Sequence, residues 1–145
     1  MAVYGRILLV VDLSDDSLAI GRRAQALAAS LGAEVELLHV VEFVPVEPLG
    51  ETLLPAVQVL EEQLVRARQR LAALAAQLGL PGAACHVESG NVKSEIVRAA
   101  RERHADLIVL GSRERHGLSI LVNLTEDTVL HAAPCDVLAM RAGRS

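Results

Sequence analysis

Aromatic side chains are almost missing from this sequence. There is one tyrosine, one phenylalanine and no tryptophan, so aromatics make up 1% of 145 residues. That scarcity argues against the stacking platforms on which single-stranded nucleic acids are held. It also means that the core has to be aliphatic, because 52% of the residues are still hydrophobic. Positive charge is not in excess either. Fourteen Lys and Arg stand against eighteen Asp and Glu, giving a net charge of −4 with no basic stripe, so a phosphate backbone is not expected as a partner. Apolar runs are short and broken by charge, and none approaches the roughly 20 residues of a membrane span. The opening stretch has only Ile7 to Val11 as an apolar block before Asp12, which does not read as a signal peptide, and the expected location is the cytosol. The two cysteines, Cys85 and Cys135, lack C-x-x-C spacing, and each reads as a reduced core thiol in a strand-like segment. No pair of histidines has the spacing of a zinc site. His39 reads as a satisfied core histidine, and His86, His104 and His131 as surface or strand-end positions. There is no Walker motif, no G-x-G-x-x-G after the first strand, no G-x-S-x-G elbow and no catalytic constellation.

What is present alternates regularly. Residues 6–12 form a nearly continuous aliphatic run ending in Asp12, as a strand buried on both faces reads. Ser14 is the expected N-cap of a helix carrying Leu18, Ala19, Ala24, Leu27, Ala28 and Leu31 at helical spacing, with Gly32 as its stop. A second strand covers 34–41. Pro45, Pro48, Gly50 and Pro55 then mark an irregular connection. A long helix follows from about Ala56 to Leu78, with Leu60, Leu64, Ala67, Leu71, Leu74, Ala75 and Leu78 as its apolar stripe. Glu61, Glu62, Arg66, Arg68 and Arg70 form its wet side. Strand three is expected at 83–88, a turn at 89–91 and a helix at 92–104 with Ile96, Val97 and Ala100 inward. Strand four is expected at 106–111, a helix at 118–132 and strand five at Cys135–Met140.

This β-α-β-α-β-α-β-α-β order predicts one doubly wound α/β domain over residues 1–145, a parallel sheet with helices on both faces. A chain this long buries about two-thirds of its unfolded surface, enough for one core. Ligands of such folds bind beyond the carboxyl ends of the strands, at the switch in strand order. Two segments there can carry chemistry. Gly111 follows a buried strand, and Arg113, Arg115 and His116 precede a helix that starts near Leu118. The loop reads either as a phosphate site built from backbone N–H groups and positive charge, or as a plain connection with solvated arginines. Asp12 can hydrogen-bond a ribose hydroxyl or an adenine amine, or it can brace its own loop.

Taken together, the segments 7–14, 33–41, 90–96, Ala105-Asp-Leu-Ile-Val-Leu-Gly-Ser112 and His131-Ala-Ala-Pro-Cys-Asp-Val-Leu138 resemble the universal stress protein family along essentially the whole chain. The resemblance implies a five-stranded parallel sheet of order 3-2-1-4-5 and a homodimer paired through the last strand, Cys135–Met140. No catalytic residues and no metal are expected from the residues themselves. One branch of the family binds ATP through a G-x2-G-x8or9-G-[S/T] loop, whereas the other lacks that loop. Carried over residue by residue, Gly111 matches the first glycine, but Glu114 stands at the second. Asn123 and Leu124, or with one slip Leu124 and Thr125, stand at the closing glycine and hydroxyl pair, and Gly117 lies in the variable part. Glu114 brings a negative charge towards polyphosphate, and two like charges about 4 Å apart repel by about 1 kcal/mol even in water. The expectation is a dimeric stress-response binding module without tight ATP binding. The alternative is an ATP- or AMP-binding switch that uses Asp12, Val41, Gly111, Arg113, Gly117, Asn123 and Thr125. Relatives of the electron-transfer flavoprotein type are a third class, disfavoured because no accessory segment for a larger cofactor is present.

Overall fold

The computed structural model describes residues 3–42, 53–112 and 129–141. Five strands form one sheet: β1 (Arg6–Val10), β2 (Glu34–Glu42), β3 (Cys85–Gly90), β4 (Leu107–Ser112) and β5 (Asp136–Arg141). The order is β3-β2-β1-β4-β5, and every pairing is parallel. The sheet expected from the alternation, and its order expected from the resemblance, are both observed. Three helices connect the strands: α1 (Ser17–Leu31), α2 (Leu53–Gln77) and α3 (Val92–Glu102), and residues 129–132 are helical as well.

The period-two alternation of the strands divides the core. Ile7, Leu9, Val35, Leu37, Leu107 and Val109 point to one face and pack with Ile20, Ala24 and Ala28 of α1 and Ala67, Leu71 and Leu74 of α2. Leu8, Leu38, Val40, Ile108 and Leu110 point to the other face and meet Ile96, Ala99 and Ala100 of α3 and Val129. Both faces of β1 and β4 are covered, which explains why these strands read as unbroken aliphatic runs. Of the helix expected at 118–132, the part before residue 129 lies outside the described residues.

Each helix end has a local cause. α1 and α2 close with Gly32 (φ +67°) and Gly79 (φ +73°) in the left-handed region. The N–H groups of Ala33 and Leu80 bond back to the carbonyls of Ala28 and Ala75, the 6→1 bond of a Schellman motif. α3 ends the same way, Ala105 N–H to Ala100 O, but with His104 (φ +54°) in the glycine position, so it stops at Glu102 rather than at His104. At its start, the Asn91 side chain accepts from Ser94 N at 3.0 Å.

Several expectations shift. β3 runs to Gly90, because Ser89 and Gly90 pair with Val41 and Glu42, so only Asn91 remains of the expected turn. α2 begins at Leu53 and takes Pro55 into its first turn, where a missing N–H costs no intrahelical bond. Ser14 is not the N-cap of α1; that position falls to Asp16, without a side-chain cap bond. Ala19 is exposed, and Ile20 and Gly21 face inward in its stead. Val97 is only half-buried, and Ala99 takes the inward position beside Ile96. Leu60 and Leu64 are half-buried, because α2 extends about 37 Å and outruns the short strands beneath it. Cys85 is exposed rather than part of the core, and Cys135 is half-buried. Burial raises both thiols above their ordinary pKa, and the nearby Asp106 and Asp136 push Cys135 further, so neither is primed as a thiolate at neutral pH.

Candidate functional site

β1 lies between β2, reached by the first crossover, and β4, reached by the third, so the strand order reverses between β1 and β4. The crevice of such a sheet opens there, at the carboxyl ends. Registers Val10↔Leu38 and Val10↔Leu110 bring the segments after β1, β2 and β4 to one edge. Asp12 and Gly111 therefore flank the switch point, with Val41 on the next strand. Arg113, Gly117, Asn123 and Thr125 lie outside the described residues.

The turn after β1 is the most constrained part of this edge. Asp12 Oδ1 accepts from Ser14 N at 3.0 Å and from Ser17 Oγ at 3.1 Å. The carboxylate thus braces its own loop, the structural role open to it from the sequence. Ser17 is drawn inward by that bond and is buried. Leu13 between them has φ +59° with its side chain buried, a conformation that a bulky L-residue adopts only when its surroundings impose it. Ser14 Oγ is buried and has no hydrogen-bond partner among the described residues, an arrangement that costs about 1–3 kcal/mol.

Two side chains from other elements hold the backbone of this turn. His39 of β2 contacts Val11 O through Nδ1 at 2.8 Å. A carbonyl only accepts, so Nδ1 carries the proton and His39 is the satisfied histidine expected from its apolar strand. Arg70 of α2, read from the sequence as solvated, donates from Nη2 to Leu13 O. Helical periodicity separates a wet side from a dry one but says nothing of how far a long side chain reaches.

Gly111 has a packing reason as well as a motif reason. A Cβ there would stand 3.0 Å from Ile20 Cδ1, so the missing side chain lets α1 close down on the end of β4. Its φ is not in the left-handed region. Val41 is half-buried, packs against the α1–α2 face and pairs with Ser89.

The opposite edge has different electrostatics. α1, α2 and α3 all end there, so their carbonyl ends favour cations, whereas their N-termini face the carboxyl edge. A cleft of about 640 Å³ at this edge includes Arg6, Glu34, Glu36 and Arg103 in its lining. Its charges are largely paired internally. Arg103 Nε donates to Glu36 Oε1 at 3.0 Å, His86 Nε2 lies 3.4 Å from the same oxygen, and Arg6 Nη1 donates to Arg103 O at 3.2 Å. Burial pushes the Glu36 carboxyl up, but the bonds from Arg103 and His86 outweigh it and hold it below the ordinary carboxylate value. Among the described residues, no group of three or more His, Cys, Asp and Glu suits a metal ion, and no helix is long and apolar enough to cross a membrane.

A parallel sheet of order 3-2-1-4-5, with helices on both faces and a braced acidic turn at its switch point, defines a doubly wound α/β protein of the nucleotide-binding type of architecture. Within that class the chain belongs to the universal stress protein family, whose model matches residues 4–141. Universal stress protein A homolog 1 of Coxiella burnetii is 37% identical over 138 residues, spanning 94% of this chain and 96% of that one. Homolog 2 of the same organism is 33% identical over 139 residues, with 95% of each chain covered. Among solved structures, universal stress protein UspA from Lactobacillus plantarum superposes with a TM-score of 0.77 at 28% identity, covering 97% of this chain and all of that one. A universal stress protein solved in complex with cAMP gives a TM-score of 0.64 at 22% identity, covering 97% and 98%, and shares the fold.

Proposed function

We propose that residues 1–145 work as one cytosolic regulatory module of the stress response, a non-catalytic homodimer paired through β5 that acts on protein partners and holds no ATP tightly. The observation that carries this reading is the loop after β4. Glu114, Asn123 and Leu124 stand where the ATP-binding branch of the family has glycines and a hydroxyl residue. A side chain at Glu114 crowds the close backbone approach that phosphate needs and adds like charge beside it. Among the described residues β5 ends the sheet with one edge unpaired, which favours pairing with a second copy.

A second reading, an adenine-nucleotide switch, draws on the carboxyl edge itself. Asp12 and Gly111 flank the switch point with Val41 on the next strand, and Ser14 Oγ is a buried hydroxyl without a partner among the described residues. A neighbour in fold has been solved with cAMP, a nucleotide that carries a single phosphate and so asks less of the altered loop. Calorimetric titration of Mg-ATP, after mass spectrometry of the purified protein for carried-over nucleotide, separates the two. The module reading expects no co-purified nucleotide and no heat up to about millimolar ATP, which corresponds to roughly 4 kcal/mol of binding. Micromolar ATP binding would replace it with the switch.

A further inference from the structure

We infer that Arg70 is a positioning residue of the carboxyl-edge site, reaching from α2 to hold the Asp12–Ser14 turn in a conformation that the turn does not prefer by itself. Three observations converge. Leu13 sits at φ +59°, and a non-glycine residue in the left-handed region costs of the order of 1–2 kcal/mol unless its surroundings impose it. Its carbonyl is the atom to which the Arg70 guanidinium donates, a charge-assisted bond of the stronger class. The two neighbours of Leu13 carry the polar groups of the turn: Asp12, whose Oδ1 is fixed by Ser14 N and Ser17 Oγ, and Ser14, whose hydroxyl is buried and has no partner among the described residues. Rotating the Leu13 peptide out of this state moves both.

Arg70 gains access to the turn through the packing of α2. Ala67, Leu71 and Leu74 are buried on the same face of the sheet as Ile20 and Ala24 of α1. Arg70 directly precedes the fully buried Leu71, so its stem leaves the helix at the margin of that contact. Its guanidinium thus ties the longest helix to the β1–α1 turn, across the span of sequence between residues 13 and 70. The flexible ammonium of a lysine lacks the planar fork that lets the arginine bridge this gap in a fixed orientation.

The consequence for ligands rests on the second reading above, in which the carboxyl edge holds an adenine nucleotide. The consequence for the turn does not. Native-state hydrogen exchange of the Ser14 amide, followed by NMR in the ligand-free protein, reports the turn directly, because that N–H is bonded to Asp12 Oδ1. Arg70→Ala is expected to accelerate this exchange by about tenfold, the loss of one charge-assisted bond, with the amides of β2 and β4 unchanged. Arg70→Lys is expected to fall between wild type and Arg70→Ala. Titration with AMP then reads the site: Arg70→Ala and Asp12→Ala should each weaken binding by about fivefold or more. Unchanged Ser14 exchange in Arg70→Ala overturns the inference. It is also overturned if AMP binding responds to Asp12→Ala and is indifferent to Arg70→Ala. If Asp12→Ala leaves the AMP titration unaltered, the nucleotide reading fails, and the exchange result alone decides whether Arg70 holds the turn.

Discussion

Leu13 and His104 are the two non-glycine residues with positive φ among the described residues, and they have different causes. Leu13 belongs to the turn that carries Asp12, and its conformation is held by a tertiary contact. His104 is exposed and simply fills the C′ position of α3, where α1 and α2 use glycine. Glycine meets no steric penalty in that region, so His104→Gly is expected to stabilise the fold by about 0.5–1 kcal/mol, read as a higher urea midpoint at constant slope. An unchanged or lower midpoint would show that the His104 side chain contributes more than its strain costs. The sequence singles out Asp12 and Gly111 because they stand at strand ends, and it reads His39, inside an apolar run, as a satisfied core histidine, which its bond to Val11 O matches. It missed Arg70 and misjudged Ser14. Their roles depend on residues 57 positions away in one case, and on Asp12 taking over the backbone bonds of the turn in the other.

At the scale of elements, α1 and α2 meet at a glycine. Gly21 lies inside α1 and faces inward, and a Cβ there would come within 2.8 Å of Leu78 Cδ1. A glycine in a helix interior costs about 1 kcal/mol against alanine, and here it permits the close approach of the two helices. Gly21→Val would have to displace the fully packed Leu78, and a loss of about 1–3 kcal/mol in thermal or urea unfolding is expected. A neutral result would mean that Leu78 has another rotamer available. The periodicity of α1 in the sequence identified the helix and its end at Gly32. It put Ala19 on the inner face and gave no weight to Ile20 and Gly21, because hydropathy counting cannot see a glycine used for contact. The stripe of α2 was read along its length, but only Ala67 to Leu78 are buried, since burial requires a sheet beneath the helix and the strands are shorter.

At the scale of the whole molecule, the Glu36–Arg103–His86 cluster joins β2, the end of α3 and β3. Because the Glu36 carboxyl is held below its ordinary value, the unfolded state binds its proton more readily than the folded state does. Its contribution to stability is therefore complete above the ordinary carboxylate range and is lost as pH falls through the depressed folded value. Glu36→Gln should be less stable than wild type at pH 7, with the gap narrowing on acidification below about pH 4 to 5 in urea titrations. A gap that stays constant with pH would assign the effect to packing. Leu138 of β5, the edge strand among the described residues, is 37% exposed. If β5 is the dimer seam, Leu138→Lys should give monomers in sedimentation velocity at micromolar protein with the circular dichroism of the fold retained. Dimers that persist would move the seam elsewhere.

The amino-acid sequence by itself determined the architecture. Strand and helix periods, glycine stops and the strand–helix alternation are local or near-local signals, and they sufficed for a parallel, doubly wound sheet. The family motifs supplied the strand order. They also located the carboxyl edge, because strand ends follow from strand runs. Tertiary structure alone decided how that edge is held. Leu13 is bent by Arg70, Val11 is tied by His39, α1 closes on Gly111 through Ile20, and charges at the far edge neutralise one another. Each of these joins residues far apart in the chain, and no periodicity carries information about a contact whose partners are fixed only when the sheet brings their elements together.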